Sequence, residues 1–347
     1  MNNDQRIEFW KTLCSLDGKD LQADQNKLKE KIVFPRFIYR YREVTSNNLD
    51  ALRSNRLFFS SANYYDDPFD TFLYIDKKRL QKEFDDNFKS SEAISRLSTE
   101  LECALSQFKQ IIPSDVMPEK ITPENLKELY DNGLTGHILS LFLNSRDVLR
   151  KRVWSVCFSE SGLNETLWLK YANQYKGFVV FYDLENQGNL FCGQYSKCEK
   201  CGIYKFGTPL YPMVYSNEPY DATDFAKWAL LKEFEEEIHK PLPPSAYSGN
   251  NVSFWDFHKI TLIKKICHQY DAEWRLITGC QMKPPILMEW RPDGIILGLR
   301  MSEAEKNLAV SLALQAGVKK VYASYIDDLN RLGVIPLTEE SKNTPVF

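Results

Sequence analysis

Asp271-Ala272-Glu273-Trp274-Arg275 brings two carboxylates and a guanidinium into five residues. Read as a strand, alternation puts Asp271, Glu273 and Arg275 on one face and Ala272, Trp274 and Leu276 on the other. Glu273, entering an apolar strand beside a tryptophan, is a candidate for a partly buried carboxylate. The same spacing also describes a Glu273–Arg275 surface ion pair. Tyr39-Arg40-Tyr41-Arg42 offers guanidiniums on one side of a strand and phenols on the other. An arginine there can grip a phosphate or ribose through forked hydrogen bonds, or face water from an edge strand. The segment from Phe58 to Phe69 delivers Ser60, Ser61, Tyr64, Tyr65, Asp66 and Asp67 into one loop, where binding residues concentrate. Aromatic packing around an Asp-Pro turn accounts for the same pattern.

The common catalytic signatures are missing: there is no phosphate-binding glycine loop, no H-E-x-x-H and no G-x-S-x-G. With four histidines, scattered at positions 137, 239, 258 and 268, chemistry has to rest on carboxylates, arginines, hydroxyls and aromatics. Cys192, Cys198 and Cys201 form the one local thiol group, read either as loop cysteines or as three zinc ligands lacking a nearby fourth. A formal net charge of -3 excludes nucleic-acid binding by bulk cationic charge, while leaving room for a local basic groove. Twenty-one Phe, 18 Tyr and 7 Trp point to a thick core or a pocket for flat ligands. No apolar run suits a membrane helix, no signal peptide is visible, and the eight cysteines read as reduced thiols in the cytoplasm.

These residues need positioning elements. Helical spacing covers residues 1–30, with a break at Gly18. Strands are expected at 34–42, 57–61, 153–158, 177–182, 210–215, 273–278, 294–299 and 318–325. Residues 76–150 read as helical, with Thr122-Pro123-Glu124 a helix start. A short helix carries Trp168 and Tyr171 on one face, a spacing that is usually core. Further helices are expected at 222–239 and 252–267, and Ser302-x-x-Glu305 is a capping box whose helix ends at Gly317. The outline is an α+β chain: an N-terminal helical segment (1–30), a first half-domain (31–75), a helical insertion (76–150), a second half-domain (151–330) and a C-terminal tail (331–347).

In order, Tyr39–Arg42, Ser61–Phe69, Cys157–Glu160, Leu167–Ala172, Lys176–Phe178 and Asp271–Arg275 resemble the segments of a bacterial family, domain of unknown function 2971. The resemblance spans about residues 37–325. Asp67 stands where that family more often has Asn before the Asp-Pro-Phe segment, after a one-residue shift. More remotely, the order is similar to the ADP-ribosyltransferase superfamily, with an Arg on the first strand, a Ser or Tyr on the second and a Glu on a late strand. Arg40, the Ser60–Tyr65 segment and Glu273 fill those places, and Asp271 stands where the superfamily often has Gln or Glu.

That likeness implies split mixed and antiparallel sheets with a helical insertion, NAD as substrate and no metal. Glu273 and Asp271 take the catalytic positions; Arg40, Tyr41, Ser60, Ser61, Tyr64, Tyr65, Trp168 and Tyr171 take cofactor-binding ones. A carboxylate near the ribose stabilises the oxocarbenium-like state formed as nicotinamide leaves. The implied role is a bacterial toxin or anti-phage effector acting on a macromolecular acceptor, protein or nucleic acid. It carries a possible antitoxin or regulatory partner, and no membrane is involved. Two rival readings are a non-catalytic nucleotide-binding module and a nuclease holding Mg²⁺ on Asp66, Asp67 and Glu273.

Overall fold

The structure, a computed structural model, describes residues 1–108, 120–144, 146, 148–185, 210–237, 239–242, 244–247, 251–278 and 287–342. It is mixed α+β with a mostly antiparallel sheet. The chain divides into two compact units: Met1–Asp67 with Arg152–Glu218 and Leu262–Phe347, and Pro68–Lys151 with Pro219–Thr261.

The first unit is built on strands β1 (Phe37–Arg42), β2 (Arg56–Phe58), β3 (Ser60–Ser61), β4 (Trp154–Ser159), β5 (Phe178–Asp183), β6 (Leu210–Pro212) and β7 (Val214–Tyr215). It continues through β8 (Ile263–Lys264), β9 (Glu273–Thr278), β10 (Leu287–Glu289), β11 (Gly294–Leu297), β12 (Lys320–Ile326) and β13 (Leu332–Pro336). The main sheet runs β13-β12-β11-β5-β1-β4-β9-β6, with β3 also pairing with β4; β10 pairs with β2, and β7 with β8. Parallel pairing is confined to β11–β12 and β7–β8 among these strand pairs. Within the stretch expected as a tail, Leu332–Pro336 forms β13, the edge strand paired with β12.

The aromatic-basic alternation of the first strand is resolved by burial. Tyr39 pairs with Phe181 and Tyr41 with Val179 across β5, and this side packs on Trp168, Leu167, Ile296 and Tyr322. The short helix Glu165–Tyr171 is capped by Asn164, whose side chain accepts from the Leu167 amide. It drives Trp168 edge-on into Tyr41, ring centroids 5.5 Å apart, and the indole donates to the Gly162 carbonyl at 2.9 Å. A turn returns the chain to β5 with Asn173, Gln174 and Tyr175 all at left-handed φ. Ladder-like bonds fix it: Gly177 donates to Ala172 at 2.8 Å, and Gly298 and Arg300 donate to Gly177 and Tyr175, each at 2.9 Å.

The long helical reading of 252–267 does not hold. The helix stops at Thr261, β8 follows, and a 3-10 turn occupies Ile266–Asp271. The physical reason is pairing: Val214 and Ser216 donate to Leu262 and Lys264, drawing this stretch into a strand beside β7.

The second unit carries helices Lys77–Asp86, Ser91–Phe108, Pro123–Asp131, Leu134–Asn144 and Thr223–Glu237. Thr122 and Asn125 form a reciprocal capping box behind Pro123. Residues 219–261, placed by sequence in the second half-domain, belong to this unit. Arg79 ties them in, binding Asp221 at 3.0 Å and Asp224 at 2.7 Å. Among the described residues no helix is long and apolar enough to cross a membrane.

Gly298 lies so close to the turn that a Cβ there would stand 2.2 Å from the Tyr175 carbonyl oxygen and 2.4 Å from that of Gly177. Backbone cannot yield as a flexible side chain does. Gly298→Ala is therefore expected to destabilise the chain by about 3 kcal/mol, the upper range for overpacking, measured by urea unfolding.

Candidate functional site

Strand β9 lies between β4 and β6 in the sheet, and all six residues of Glu273–Thr278 are buried, on both faces. Glu273 and Arg275 pair across β4 with Ser159 and Cys157. Glu273 therefore has to be compensated where it stands. Its Oε1 takes Arg275 Nε at 2.5 Å and its Oε2 takes Lys264 Nζ at 3.1 Å. Burial pushes this carboxyl's pKa up, but Arg275 and Lys264 together outweigh it and hold the pKa well below the usual carboxylate range. The Glu273–Arg275 pair of the sequence reading exists, but in the core rather than on the surface.

Asp271 does not share the strand. Ala272 sits in left-handed conformation (φ 42, ψ 51), which ends the 3-10 turn and swings Asp271 out of the alternation. The Asp271 side chain reaches back to Lys264 Nζ at 2.9 Å, with His268 Nδ1 at 3.8 Å. Its other oxygen, Oδ1, is buried without a partner, and burial raises the carboxyl pKa despite Lys264. His268 Nε2 in turn lies 3.1 Å from Asp67 Oδ2.

The backbone at this point is pinned from several sides. Tyr215 Oη accepts the Glu273 amide at 2.7 Å, and Arg6 donates to the Glu273 and Met213 carbonyls at 3.0 and 2.6 Å. Ser159 Oγ donates to the Asp271 carbonyl at 2.8 Å. Glu160 receives Arg6 at 2.6 Å and the Trp274 indole at 2.7 Å.

The remaining expected residues separate into two groups. Tyr65 belongs to the cluster: Arg275 lies over its ring at 5.1 Å, and its hydroxyl shares a hydrogen bond with Ser155, itself 3.5 Å from Cys157 Sγ. Cys157 hydrogen-bonds to Glu273, and burial, reinforced by that carboxylate, pushes the thiol up to about 12. Tyr171 lies in the electrostatic field of Lys264, Asp271, Glu273 and Asp66. Arg40, on the register side of Ile38, Val180 and Tyr182, donates to the Phe58 carbonyl at 3.2 Å. The Tyr39–Ser159 register places Arg40 on the face of the sheet opposite Ser159, Glu273 and Cys157, with Cys157 and Tyr65 still within its electrostatic range.

The others are not brought together. Trp168 is fully buried core, and Tyr41 spends its hydroxyl on the Ser161 carbonyl (2.8 Å) and the Asn164 amide (3.0 Å). Ser61 caps the turn at Asn63, Ser60 is exposed, and Tyr64 is 78% exposed. Cys192, Cys198 and Cys201 lie outside the described residues. Among the described residues no group of three His, Cys, Asp or Glu assembles as a metal site. Of the carboxylates of the nuclease reading, Glu273 pairs with Lys264 and Arg275, and Asp67 lies against the His268 ring.

Sequence reasoning missed Lys264, Tyr215 and Cys157. Lys264 was hidden by the helical reading of 252–267; its signal is the Leu-Ile-Lys-Lys-Ile break in helical spacing. Comparisons with protein-family models, with curated proteins and with solved structures find no match to this chain.

Lys264 compensates two buried carboxylates at once. Lys264→Met is expected to cost about 3–5 kcal/mol, the usual scale for stranding a buried charge, measured by urea unfolding at neutral pH. The pH slope is also defined. The depressed Glu273 stabilises the fold fully above its ordinary 4.5 and loses that contribution as pH falls toward its folded value. The raised Asp271 works oppositely, costing stability as pH rises through the carboxylate range. Glu273→Gln should flatten the loss of stability on acidification, and Asp271→Asn should steepen it.

Proposed function

We propose that this chain, which resembles the domain 2971 family and more remotely the ADP-ribosyltransferase superfamily, is an NAD-consuming, ADP-ribosyltransferase-like enzyme acting on a macromolecular acceptor. The carrying observation is the cluster of Glu273 and Arg275 on β9 with the Tyr65 ring, Arg40 of β1 lying within electrostatic range of Tyr65 and Cys157 from the opposite face of the sheet. A carboxylate and a flat ring are thus close together, with an anion-binding fork near them. Such a set suits a dinucleotide: the fork grips phosphate, the ring stacks on nicotinamide, and the carboxylates face the ribose as positive charge develops.

The ion pairs refine the roles. Glu273 serves a ribose hydroxyl once Lys264 or Arg275 yields one oxygen, whereas Asp271 Oδ1 already lacks a donor. Asp271 is therefore the carboxylate best prepared to receive a hydroxyl. In a bacterium such an activity fits a toxin or an anti-phage effector.

A second reading, a non-catalytic nucleotide-binding module, is favoured by that same saturation of Glu273 by two cations. The two separate on turnover. The pure chain with NAD and protein, DNA or RNA acceptors is expected to release nicotinamide, and Glu273→Gln and Asp271→Asn should each lower the rate by roughly 10²-fold or more. NAD binding without nicotinamide release from any acceptor would leave the binding module standing. Turnover indifferent to both substitutions would refute the assignment of the site.

A further inference from the structure

A cavity of about 550 Å³ opens in the first unit at the end of the β2–β10 pair, lined by Ser54, Asn55, Glu289, Trp290, Arg291 and Asp293. None of these residues belongs to the Glu273 cluster. The chain is fixed around the cavity by its own hydrogen bonds. The Trp290 amide donates to the Asn55 carbonyl at 2.8 Å, and Asn55 Nδ2 donates to the Ala316 carbonyl at 3.0 Å. Asp293 Oδ2 accepts the Asp183 amide at 2.8 Å. Asn55 itself stands at φ 55, a left-handed conformation that asparagine tolerates better than most residues with a Cβ. The walls are therefore preformed.

What they leave unmet is specific. Among the described residues, Asn55 Oδ1 and Trp290 Nε1 are buried with no hydrogen-bond partner, one an acceptor and the other a donor. A buried polar group in that state is unfavourable until a partner arrives. Trp290 is 3% exposed, its ring packed on Tyr182 at 4.4 Å and Phe158 at 5.8 Å, so its N–H is not turned out to water. Among the described residues Glu289 and Arg291 likewise have no ion pair. Arg291 lies at the C-terminal end of the helix Glu303–Gln315, where a Cβ on Gly317 would stand 3.5 Å from its Nη1. The partial negative charge of that helix end accounts for the position of the guanidinium. It does not account for the unpaired Asn55 oxygen and Trp290 N–H.

The lining thus mixes acceptors on Asn55, Glu289 and Asp293 with donors on Trp290 and Arg291. A simple anion meets two carboxylates against one guanidinium. An apolar molecule leaves Asn55 and Trp290 unsatisfied, and a neutral polyol offers neither Glu289 nor Arg291 an opposite charge. A molecule carrying both an ammonium and a carboxylate serves every group. We infer that this cavity is a binding site for a small zwitterion, a free α-amino acid. Its ammonium donates to Glu289 and Asn55 Oδ1, and its carboxylate accepts from Arg291 and the Trp290 indole. The inference stands apart from the enzymatic reading and needs none of its chemistry.

Calorimetric titration of the full chain with the common α-amino acids, one at a time, tests it. Butane-1,4-diamine and acetate serve as half-ligand controls, and glucose as a neutral polyol. At least one amino acid is expected to bind, and none of the three controls. Glu289→Gln and Arg291→Gln should each weaken that amino acid at least about 10-fold, the scale of a lost charge-assisted contact. Both side chains are exposed, so both variants should melt close to the parent. Trp290→Phe keeps a ring in the core and removes only the indole and its N–H; it too should weaken binding, whereas a purely structural tryptophan would shift melting alone. The zwitterion site is overturned if no amino acid binds, or if affinity is unchanged in either folded charge variant. Tighter binding of the diamine, acetate or glucose than of any amino acid overturns it as well.

Discussion

The structure of the first unit turns on a carboxylate that cannot be left alone. Glu273 is placed by β9 in the middle of a sheet, where an isolated anion is prohibitively unstable and two cations are needed at close range. Arg275 comes from the same strand, two residues along, at no cost in chain organisation. Lys264 has to come from elsewhere, and bringing it in shapes the neighbourhood. The helix ends at Thr261, a two-residue strand pairs with Val214–Tyr215, and Tyr215 is thereby set to receive the Glu273 amide. Ala272 accepts a left-handed conformation, costing about 1 kcal/mol for a residue with a Cβ, and Asp271 meets the same ammonium group.

Much of this frame was legible from alternation. Phe37–Arg42, Trp154–Ser159 and Glu273–Thr278 read as strands because they are short and rich in the β-branched and aromatic residues that suit a pleated, buried surface. Trp168 and Tyr171 read as one face of a short core helix for equally local reasons. What was illegible depended on partners distant in sequence or on an unmarked backbone. Nothing in an alanine at 272 announces φ of 42, so Asp271 was assigned to the wrong alternation. A two-residue strand such as Ile263–Lys264 is too short to display a period against the helix before it. Whether a Glu-x-Arg pair lies in water or in the core is set by what packs on that face of the strand, here Lys264 and the Tyr65 ring, and Tyr65 is far away in the chain.

The aromatic excess divides along the same line. Tyr41, Trp168, Tyr175 and Phe181 fill the space between β1, β5 and the short helix, with Trp168 and Tyr175 stacked at 5.8 Å. The Tyr41 hydroxyl and the Trp168 indole are consumed locally, on Ser161, Asn164 and Gly162. Tyr65 differs because its ring lies against a guanidinium that already holds Glu273, so it reports on the charge state of the site rather than on packing alone.

The two halves of the site are thus in different electrostatic conditions. On β9 the charges are matched within the protein: two carboxylates against a lysine and an arginine, with histidine beside them. On β1 the guanidiniums have phenols and a thiol around them and, among the described residues, no carboxylate partner. A ligand that brings anionic groups to β1 need not break the β9 pairs in order to bind. It has to break one of them to reach Glu273, so binding and any use of that carboxylate are separable steps with separate costs. Asp271, with one buried oxygen lacking a donor, lies between these conditions and is the group through which a bound ligand could engage the carboxylate half without dismantling it.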